Sequence, residues 1–266
     1  MMQWFDAGLN LSSEQFSDEH DHILARAHQS SVNACLLIGT DVGSTQNNLQ
    51  YCRKSSRLWT TAGVHPHYAA AVNANWQHDL MQLATQPHVV AIGECGLDFD
   101  RMLSSETKQI EVFATQLQLA KQLQKPVYLH ERAAFDQQVG ILQEHQVSHG
   151  IAHCFTGDRS QLATYLEMGL YIGITGWLCD ERRGMALQDA LQFLPLDRII
   201  LETDAPYLIP RNIQPKPKSR RNEPALLPFI GQRVAELKGV SIESVATHCW
   251  QNTLRLFGVE AICPAA

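Results

Sequence analysis

Short apolar runs recur along the chain and alternate with polar segments of helical spacing. Continuous runs of Val, Ile and Leu are typical of strands that are buried on both faces of a parallel sheet. Eight such runs are predicted as strands: Met2 to Asp6, Ala34 to Ile38, Trp59 to Val64, Val89 to Glu94, Pro126 to His130, Gly150 to His153, Leu170 to Ile174 and Arg198 to Leu201. Eight strands that alternate with helices favour an α/β fold of the (β/α)8 TIM barrel type over a doubly wound sheet, which commonly has about six strands.

The clearest helical pattern runs from Glu106 to Gln124. Its apolar positions share one face of a helix: Ile110, Phe113, Leu117 and Ala120. A first helix is predicted to open at Ser12, because Ser12 and Gln15 have the spacing of a capping box. The chain shows no repeat, linker or low-complexity tract, so all 266 residues are expected to form a single barrel domain.

Four potential metal ligands each come at the downstream end of a different predicted strand. Parallel β/α folds place their chemistry at these carboxyl ends, so the four side chains are expected to meet there. They are Glu94, His130, His153 and Asp204. Two imidazoles and two carboxylates suit a divalent ion such as Zn²⁺, Mn²⁺ or Mg²⁺.

Glu94 is the candidate for a bridging ligand. With His130 and His153 it would complete one metal site, and its second oxygen could join Asp204 in another. Two ions held in this way would activate a water and clamp a phosphate, so Glu94 and Asp204 are predicted to be catalytic. His65 follows the third strand and could reach the same phosphate or water, whereas His67 is interpreted as a solvated residue of a proline-fixed turn.

A basic loop follows the last predicted strand and suits an anionic substrate. Its cationic side chains have no acidic residue among them: Arg211, Lys216, Lys218, Arg220 and Arg221. The alternative is a solvated loop without a binding role. Phe155 could stack on a nucleobase or pack in the core, and Arg132 is a further candidate for substrate binding.

Composition limits the possible locations and partners. The chain is 45% hydrophobic and 18% charged, has no apolar stretch long enough to span a bilayer, and begins without a signal-peptide core. Seven cysteines without a CxxC pair fit reduced thiols in the cytoplasm, and Cys95 and Cys154 are expected to point away from the ligands that precede them. A net charge of -6 argues against broad coating of duplex DNA.

Several motifs, in order and over nearly the whole chain, resemble the TatD family of metal-dependent nucleases. A further segment, residues 173–184, is similar to the branch that gives the family its name rather than to its paralogues. The motifs are Gly63-Val64-His65-Pro66-His67, Ala91-Ile92-Gly93-Glu94-Cys95-Gly96-Leu97-Asp98, His130-Glu131-Arg132, His153-Cys154-Phe155-Thr156-Gly157, Leu201-Glu202-Thr203-Asp204-Ala205-Pro206-Tyr207 and Arg221-Asn222-Glu223-Pro224.

The resemblance implies a metallo-dependent-hydrolase barrel that hydrolyses DNA phosphodiesters. The expected activity is that of a 3′-to-5′ exonuclease on single-stranded DNA, with RNA as a second polymer, in DNA repair or degradation. We further expect a monomer that works in the cytoplasm and does not bind a membrane. The four predicted ligands fall on family metal positions, and His65 falls close to them.

The chain departs from the family pattern at its first strand. The family usually has Phe-Asp-Xaa-His-Xaa-His, but this chain has Phe5-Asp6-Ala7-Gly8-Leu9-Asn10. Asn10 could offer an amide oxygen, so the ion on the Asp204 side is expected to be held weakly, through oxygen and water. Such a site favours Mg²⁺, which keeps several waters and is often completed by a substrate phosphate.

Two other functions remain open at this stage. A barrel with these ligands could hydrolyse a small amide or ester, although many such enzymes use a carbamylated lysine where this chain has Glu94. A non-catalytic accessory protein of export, with a vestigial metal site, would explain the missing histidine pair.

Overall fold

The structure is a computed structural model and describes residues 2–259. Its eight strands follow one another in chain order within one sheet, and the described pairings are parallel. The strands are β1 (Trp4–Leu9), β2 (Val32–Leu37), β3 (Leu58–Ala62), β4 (Val89–Asp98), β5 (Val127–Arg132), β6 (Gly150–Ala152), β7 (Tyr171–Ile174) and β8 (Ile199–Leu201). β1 lies next to β8, where Leu9 pairs with Ala205. All eight predicted strands are therefore confirmed, and the fold is a (β/α)8 TIM barrel.

Helices follow the strands. They are α1 (His20–Gln29), α2 (Val42–Cys52), α3 (Trp76–Ala84), α4 (Glu106–Leu123), α5 (Phe135–Glu144), α6 (Arg159–Glu167), α7 (Met185–Leu191), α8 (Leu227–Lys238) and α9 (Ile242–Phe257). α4 matches its prediction within one residue, because Gln124 takes a left-handed conformation that ends it.

The predicted start of the first helix at Ser12 is wrong. Ser13 caps a short 3-10 helix, Glu14–Phe16, and α1 begins only at His20. Between them Asp18 has a φ of 63°, a left-handed conformation that interrupts a helix. A serine cap is present, but it is Ser13 rather than Ser12, and it belongs to a single turn.

The described chain divides into two compact units. One comprises residues 2–36, 154–167 and 171–255, and its core includes Trp4, Phe16 and Tyr165. The other comprises residues 37–153, 168–170 and 256–259, and its core includes Phe113 and Tyr128. The single domain expected for the whole chain stays a prediction, and its ends, residues 1 and 260–266, lie outside the described residues.

Two further features concern the helices and the cysteines. No helix within residues 2–259 is long and apolar enough to cross a membrane. The cysteines in this part of the chain are free thiols, most of them buried.

Candidate metal centre

Glu94 lies inside β4, and not at the end of a strand as the sequence predicted. β4 continues to Asp98, and its register with β5 shifts between Gly93 and Cys95. Gly93 has a φ of 143°, and a Cβ built there would be 2.2 Å from the carbonyl oxygen of Tyr128, so only glycine fits. The irregular backbone ends the simple alternation of side chains just where Glu94 faces the histidines.

Three imidazoles converge on one oxygen of Glu94. Glu94 Oε1 is 2.9 Å from His130 Nδ1, 3.5 Å from His65 Nε2 and 3.8 Å from His153 Nε2. Ligands bonded to one ion at about 2.0–2.2 Å are themselves separated by about 3–3.5 Å. The ligand atoms of His65, Glu94 and His130 all lie within 4.8 Å of one another, a spacing that suits a divalent cation, and His153 approaches the same Glu94 oxygen. All four sit on or directly after β3, β4, β5 and β6.

The electrostatics around Glu94 also suit a bound cation. Burial by itself would raise the pKa of Glu94, but its interactions with His65, His130 and His153 outweigh burial and hold that pKa far below its ordinary value. Burial disfavours a charged His130, yet the nearby Asp98 and Glu94 carboxylates raise its pKa to about 9. A positive charge beside Glu94 is thus strongly favoured, and a bound metal ion would supply one.

His65 differs from His130 in its electrostatics. Burial lowers the pKa of His65 to about 3 despite the nearby Glu94 carboxylate. Its Nδ1 accepts a hydrogen bond of 3.1 Å from the backbone N–H of His67. The neutral ring therefore carries its proton on Nε2, the nitrogen that faces Glu94 and His130.

Asp98 is a member of the site that the sequence reasoning missed. It is buried, its Oδ2 is 2.7 Å from His67 Nε2 and 3.5 Å from His130 Nε2, and its Oδ1 accepts the backbone N–H groups of Asp100 and Arg101. Hence the interpretation of His67 as a solvated residue is wrong. The signal was present in the sequence, because Asp98 closes the same apolar segment that carries Glu94.

Tyr128 orients His153. The Tyr128 hydroxyl is 2.7 Å from His153 Nδ1, and the two rings lie 4.8 Å apart. This contact leaves Nε2 as the nitrogen directed to Glu94. A partner on the far nitrogen is the usual way in which a metal-binding histidine is held in one orientation.

Asp204 belongs to the other unit, directly after β8. It has a φ of 54°, and the preceding Thr203 donates two hydrogen bonds to buried Asp6, from its N–H at 2.8 Å and its hydroxyl at 2.5 Å. Asn222 Nδ2 donates to the Thr203 carbonyl oxygen at 2.9 Å. Asn10 Nδ2 donates to Asp204 Oδ1 at 2.9 Å, so Asn10 does not present its amide oxygen as the sequence suggested.

Cys154 lies on the Asp204 side, contrary to expectation. β6 ends at Ala152, and Cys154 has a φ of 45°, so the alternation of a strand does not apply to it. Its Sγ and a carboxylate oxygen of Asp204 are within 4.8 Å of each other, and Sγ is 3.5 Å from the Thr175 hydroxyl. Cys95, in contrast, is fully buried, as a packing residue should be.

Two predicted substrate contacts have different environments. Phe155 is only 5% exposed and packs edge-on against Tyr165 at 6.1 Å between ring centroids, so it is a core residue and its interpretation as a base-stacking platform is wrong. Arg132 ends β5 with a half-exposed side chain, and its guanidinium is 2.6 Å from Asp100. Substrate binding by Arg132 stays a prediction.

The basic loop contains residues of two kinds. Residues 208–223 have no helix or strand, and Lys216, Lys218 and Arg220 are exposed there. Arg221 instead makes a bidentate pair with Glu19, with both contacts at 2.9 Å, and also donates to the carbonyl oxygen of Gln15. Its guanidinium is therefore committed to holding the loop against the segment before α1.

Known proteins match this chain over nearly its full length. A family model described as TatD related DNase matches residues 5–258. The chain belongs to the TatD family. It is 45% identical over 257 residues to the 3′-5′ ssDNA/RNA exonuclease TatD of Citrobacter rodentium. The matched region covers 96% of this chain and 98% of that protein. The protein of the same name from Escherichia coli K12 is 43% identical over 257 residues, with coverage of 96% and 99%.

Solved structures of TatD proteins are similar to this one. YjjV, a TatD homologue from Escherichia coli K12, superposes with a TM-score of 0.88 at 27% identity and covers 97% of this chain and 98% of its own. A TatD family hydrolase from Entamoeba histolytica gives a TM-score of 0.89 at 23% identity, with coverage of 97% and 99%. The fold that the resemblance implied is therefore confirmed.

Proposed function

We propose that this TatD protein is a divalent-metal-dependent exonuclease that removes nucleotides from the 3′ end of single-stranded DNA, with RNA as a second polymer. The observation that carries the proposal is the convergence of His65, His130 and His153 on Glu94 Oε1. The relatives named as 3′-5′ ssDNA/RNA exonucleases support the choice of polymer and direction.

The metal ligands follow from the donor set. Glu94, His130 and His153 would hold the first ion, for which Zn²⁺ and Mn²⁺ are alternatives to Mg²⁺. Asp204 would serve a second, weaker ion, and Mg²⁺ is the ion proposed for function. When bound, such ions lower the pKa of a water and neutralise charge on the phosphate.

The protein's own side chains would then position the phosphodiester. The Nε2–H of His65 would donate to a phosphate oxygen or to the attacking water, since its Nδ1 is occupied by the His67 N–H. Lys216, Lys218 and Arg220 would attract the polymer backbone, and Arg132 would bind a phosphate near the end of β5. Glu94 and Asp204 carry the negative charge that holds the ions.

We also propose where the protein acts, in which process, and in what oligomeric state. Reduced thiols throughout the described residues suit the cytoplasm, and trimming of 3′ ends suits DNA repair or degradation. We propose a monomer without a membrane partner, which mass measurement in solution would test.

The experiment is a digestion series on end-labelled single strands. We expect a ladder shortened from the 3′ end, release of mononucleotides, dependence on Mg²⁺ and loss of activity with a chelator. His153→Ala should abolish most activity, whereas His149→Ala should not, because exposed His149 precedes the same strand whose other end leads to His153. Equal activity of the two variants would refute the site.

The same series separates the alternative functions. A small-molecule amidase or esterase would cleave chromogenic amides or esters and leave the labelled strands intact. A non-catalytic accessory protein would cleave neither with any metal. The position of Glu94, among the histidines and inside β4, favours the nuclease over a lysine-dependent amidohydrolase site.

A further inference from the structure

Three exposed apolar side chains lie on two loops beside the histidines. Tyr68 is 47% exposed and lies in the 3-10 helix Pro66–Ala71, which begins directly after His65. Met102 and Leu103, at 44% and 64%, lie in the loop between β4 and α4. Loops that follow the strands of a parallel barrel lie at its active-site end. We refer to Tyr68, Met102 and Leu103 together as the Tyr68 edge. Exposed apolar groups beside a site commonly mark a ligand contact.

The two loops are tied to each other. The Ser104 hydroxyl accepts the N–H of Ala70 at 2.9 Å and donates to the His67 carbonyl oxygen at 3.2 Å. From α4, Gln109 Nε2 donates to the carbonyl oxygens of Ser104, at 2.8 Å, and Asp98, at 3.0 Å. The backbone that carries the Tyr68 edge is therefore positioned before any ligand arrives, which lowers the entropic cost of binding.

A chain of ring contacts joins Tyr68 to the metal ligands. Its ring centroid is 6.4 Å from that of His65, with the two planes at 67°. The His65 ring is in turn 4.4 Å from that of His130. Tyr68 thus stands one imidazole away from the group around Glu94, and nearly half of its surface faces solvent.

We infer that the Tyr68 edge is a stacking subsite for a nucleobase of one of the two nucleotides joined by the scissile phosphodiester. This rests on the proposed function, because it assumes that the phosphate lies at Glu94. An exposed aromatic ring, on a loop hydrogen-bonded to one that exposes a thioether and an aliphatic side chain, offers dispersion and stacking to any base, without reading its sequence. Phe155, the aromatic residue that the sequence suggested for this task, is buried and cannot do so.

The test is a double-mutant cycle between Tyr68 and a base. Labelled single strands carry an abasic residue at the last, the next-to-last or the fifth position from the 3′ end. For the wild type, loss of one of the two terminal bases should raise Kd and KM about tenfold. Tyr68→Ala should cause the same loss on the intact strand and no further loss on that abasic strand, whereas Tyr68→Phe should behave as wild type.

Controls separate stacking from general damage. Phe193 is 58% exposed and stacks with Arg159, but it lies in the segment that leads from α7 to the amino end of β8. Phe193→Ala should leave every constant unchanged. The abasic residue at the fifth position should cost the wild type and Tyr68→Ala equally.

Binding and hydrolysis are measured separately, so that the two proposals fail in different ways. If Tyr68 and the base were coupled in the Kd measurements but no strand was hydrolysed, the exonuclease proposal would be overturned and the subsite proposal kept. The subsite would be overturned if Tyr68→Ala and removal of the base raised Kd independently, so that their effects multiply. It would also be overturned if Tyr68→Ala had the Kd and KM of the wild type, or if the wild type did not bind the strands.

Discussion

Asn10 donates a hydrogen bond of 2.9 Å from its amide nitrogen to Asp204 Oδ1. A carboxylate can only accept, so the amide must present its NH₂ group there and has no lone pair to offer a cation on that side. In the pattern usual for the TatD family a histidine stands at this position. The side chain that would help to hold a second ion is thus replaced by one that occupies an oxygen of Asp204.

Restoring the histidine pair should therefore tighten the second ion. For Gly8→His combined with Asn10→His we expect metal analysis to rise from one firmly bound ion towards two. Asn10→Ala is the matched control, because it releases Asp204 Oδ1 without adding a ligand, and it should stay at one. An unchanged stoichiometry in the double variant would show that Asp204 is not poised for a second metal.

Asp98→Asn should weaken the first metal site about 10- to 100-fold. The amide side chain of this variant would keep an oxygen for the N–H groups of Asp100 and Arg101 but would lack the charge beside His130 and His67. The absorption spectrum and the dissociation constant of the Co²⁺ form would report the change directly. Asp100→Asn, which alters an exposed carboxylate two residues away, should leave both unchanged. If the two variants behave alike, Asp98 does not position His130.

Asp6 should make stability fall as the pH rises. Burial raises its pKa from 3.8 to about 7, and the opposing hydrogen bonds from Thr203 and Gly8 only reduce that effect. The folded state therefore holds a proton that the unfolded state has lost, so this group destabilises the fold progressively between about pH 4 and pH 7, by at most about 4 kcal/mol. Above pH 7 its contribution is constant.

Asp6→Asn should remove that pH dependence. The free energy of unfolding of the variant, minus that of the wild type, should be larger at pH 8 than at pH 5, since a neutral amide has no charge to bury. Urea unfolding of both proteins at the two pH values measures the difference, and all other titrating groups cancel. An equal difference at both pH values would mean that Asp6 is ionised throughout.

Replacing Lys216, Lys218 and Arg220 together with Ala should weaken binding of single strands and flatten its salt dependence. Each lost phosphate contact should remove about 0.7 from the logarithmic slope. Hydrolysis of a small phosphodiester should be nearly unaffected, because it needs the ions but no extended track.

Arg221→Ala provides the contrast within the same loop. It breaks the pair with Glu19, so it should lower the thermal midpoint without changing the salt slope. If the triple variant lost activity on single strands and on the small phosphodiester to the same extent, Lys216, Lys218 and Arg220 would also contribute to the stability of the fold.

The sequence by itself determined the fold and the candidate ligands. The eight apolar runs are local signals, because each strand of a parallel sheet must bury a short stretch of its own residues, and each run became a strand. The motifs around Glu94, His130, His153 and Asp204 were equally legible, and they led to the TatD family that the comparisons confirmed.

Only the tertiary structure decided what surrounds those ligands. Phe155 and Tyr68 are both aromatic residues after strands, but Phe155 is buried against Tyr165 and Tyr68 is exposed. Arg221 looked like its basic neighbours until Glu19, some two hundred residues earlier, proved to be its partner. The contacts of Asp98 and Asn10 are likewise visible only in the tertiary structure, since a hydrogen bond depends on distance in space and leaves no periodic pattern in the sequence.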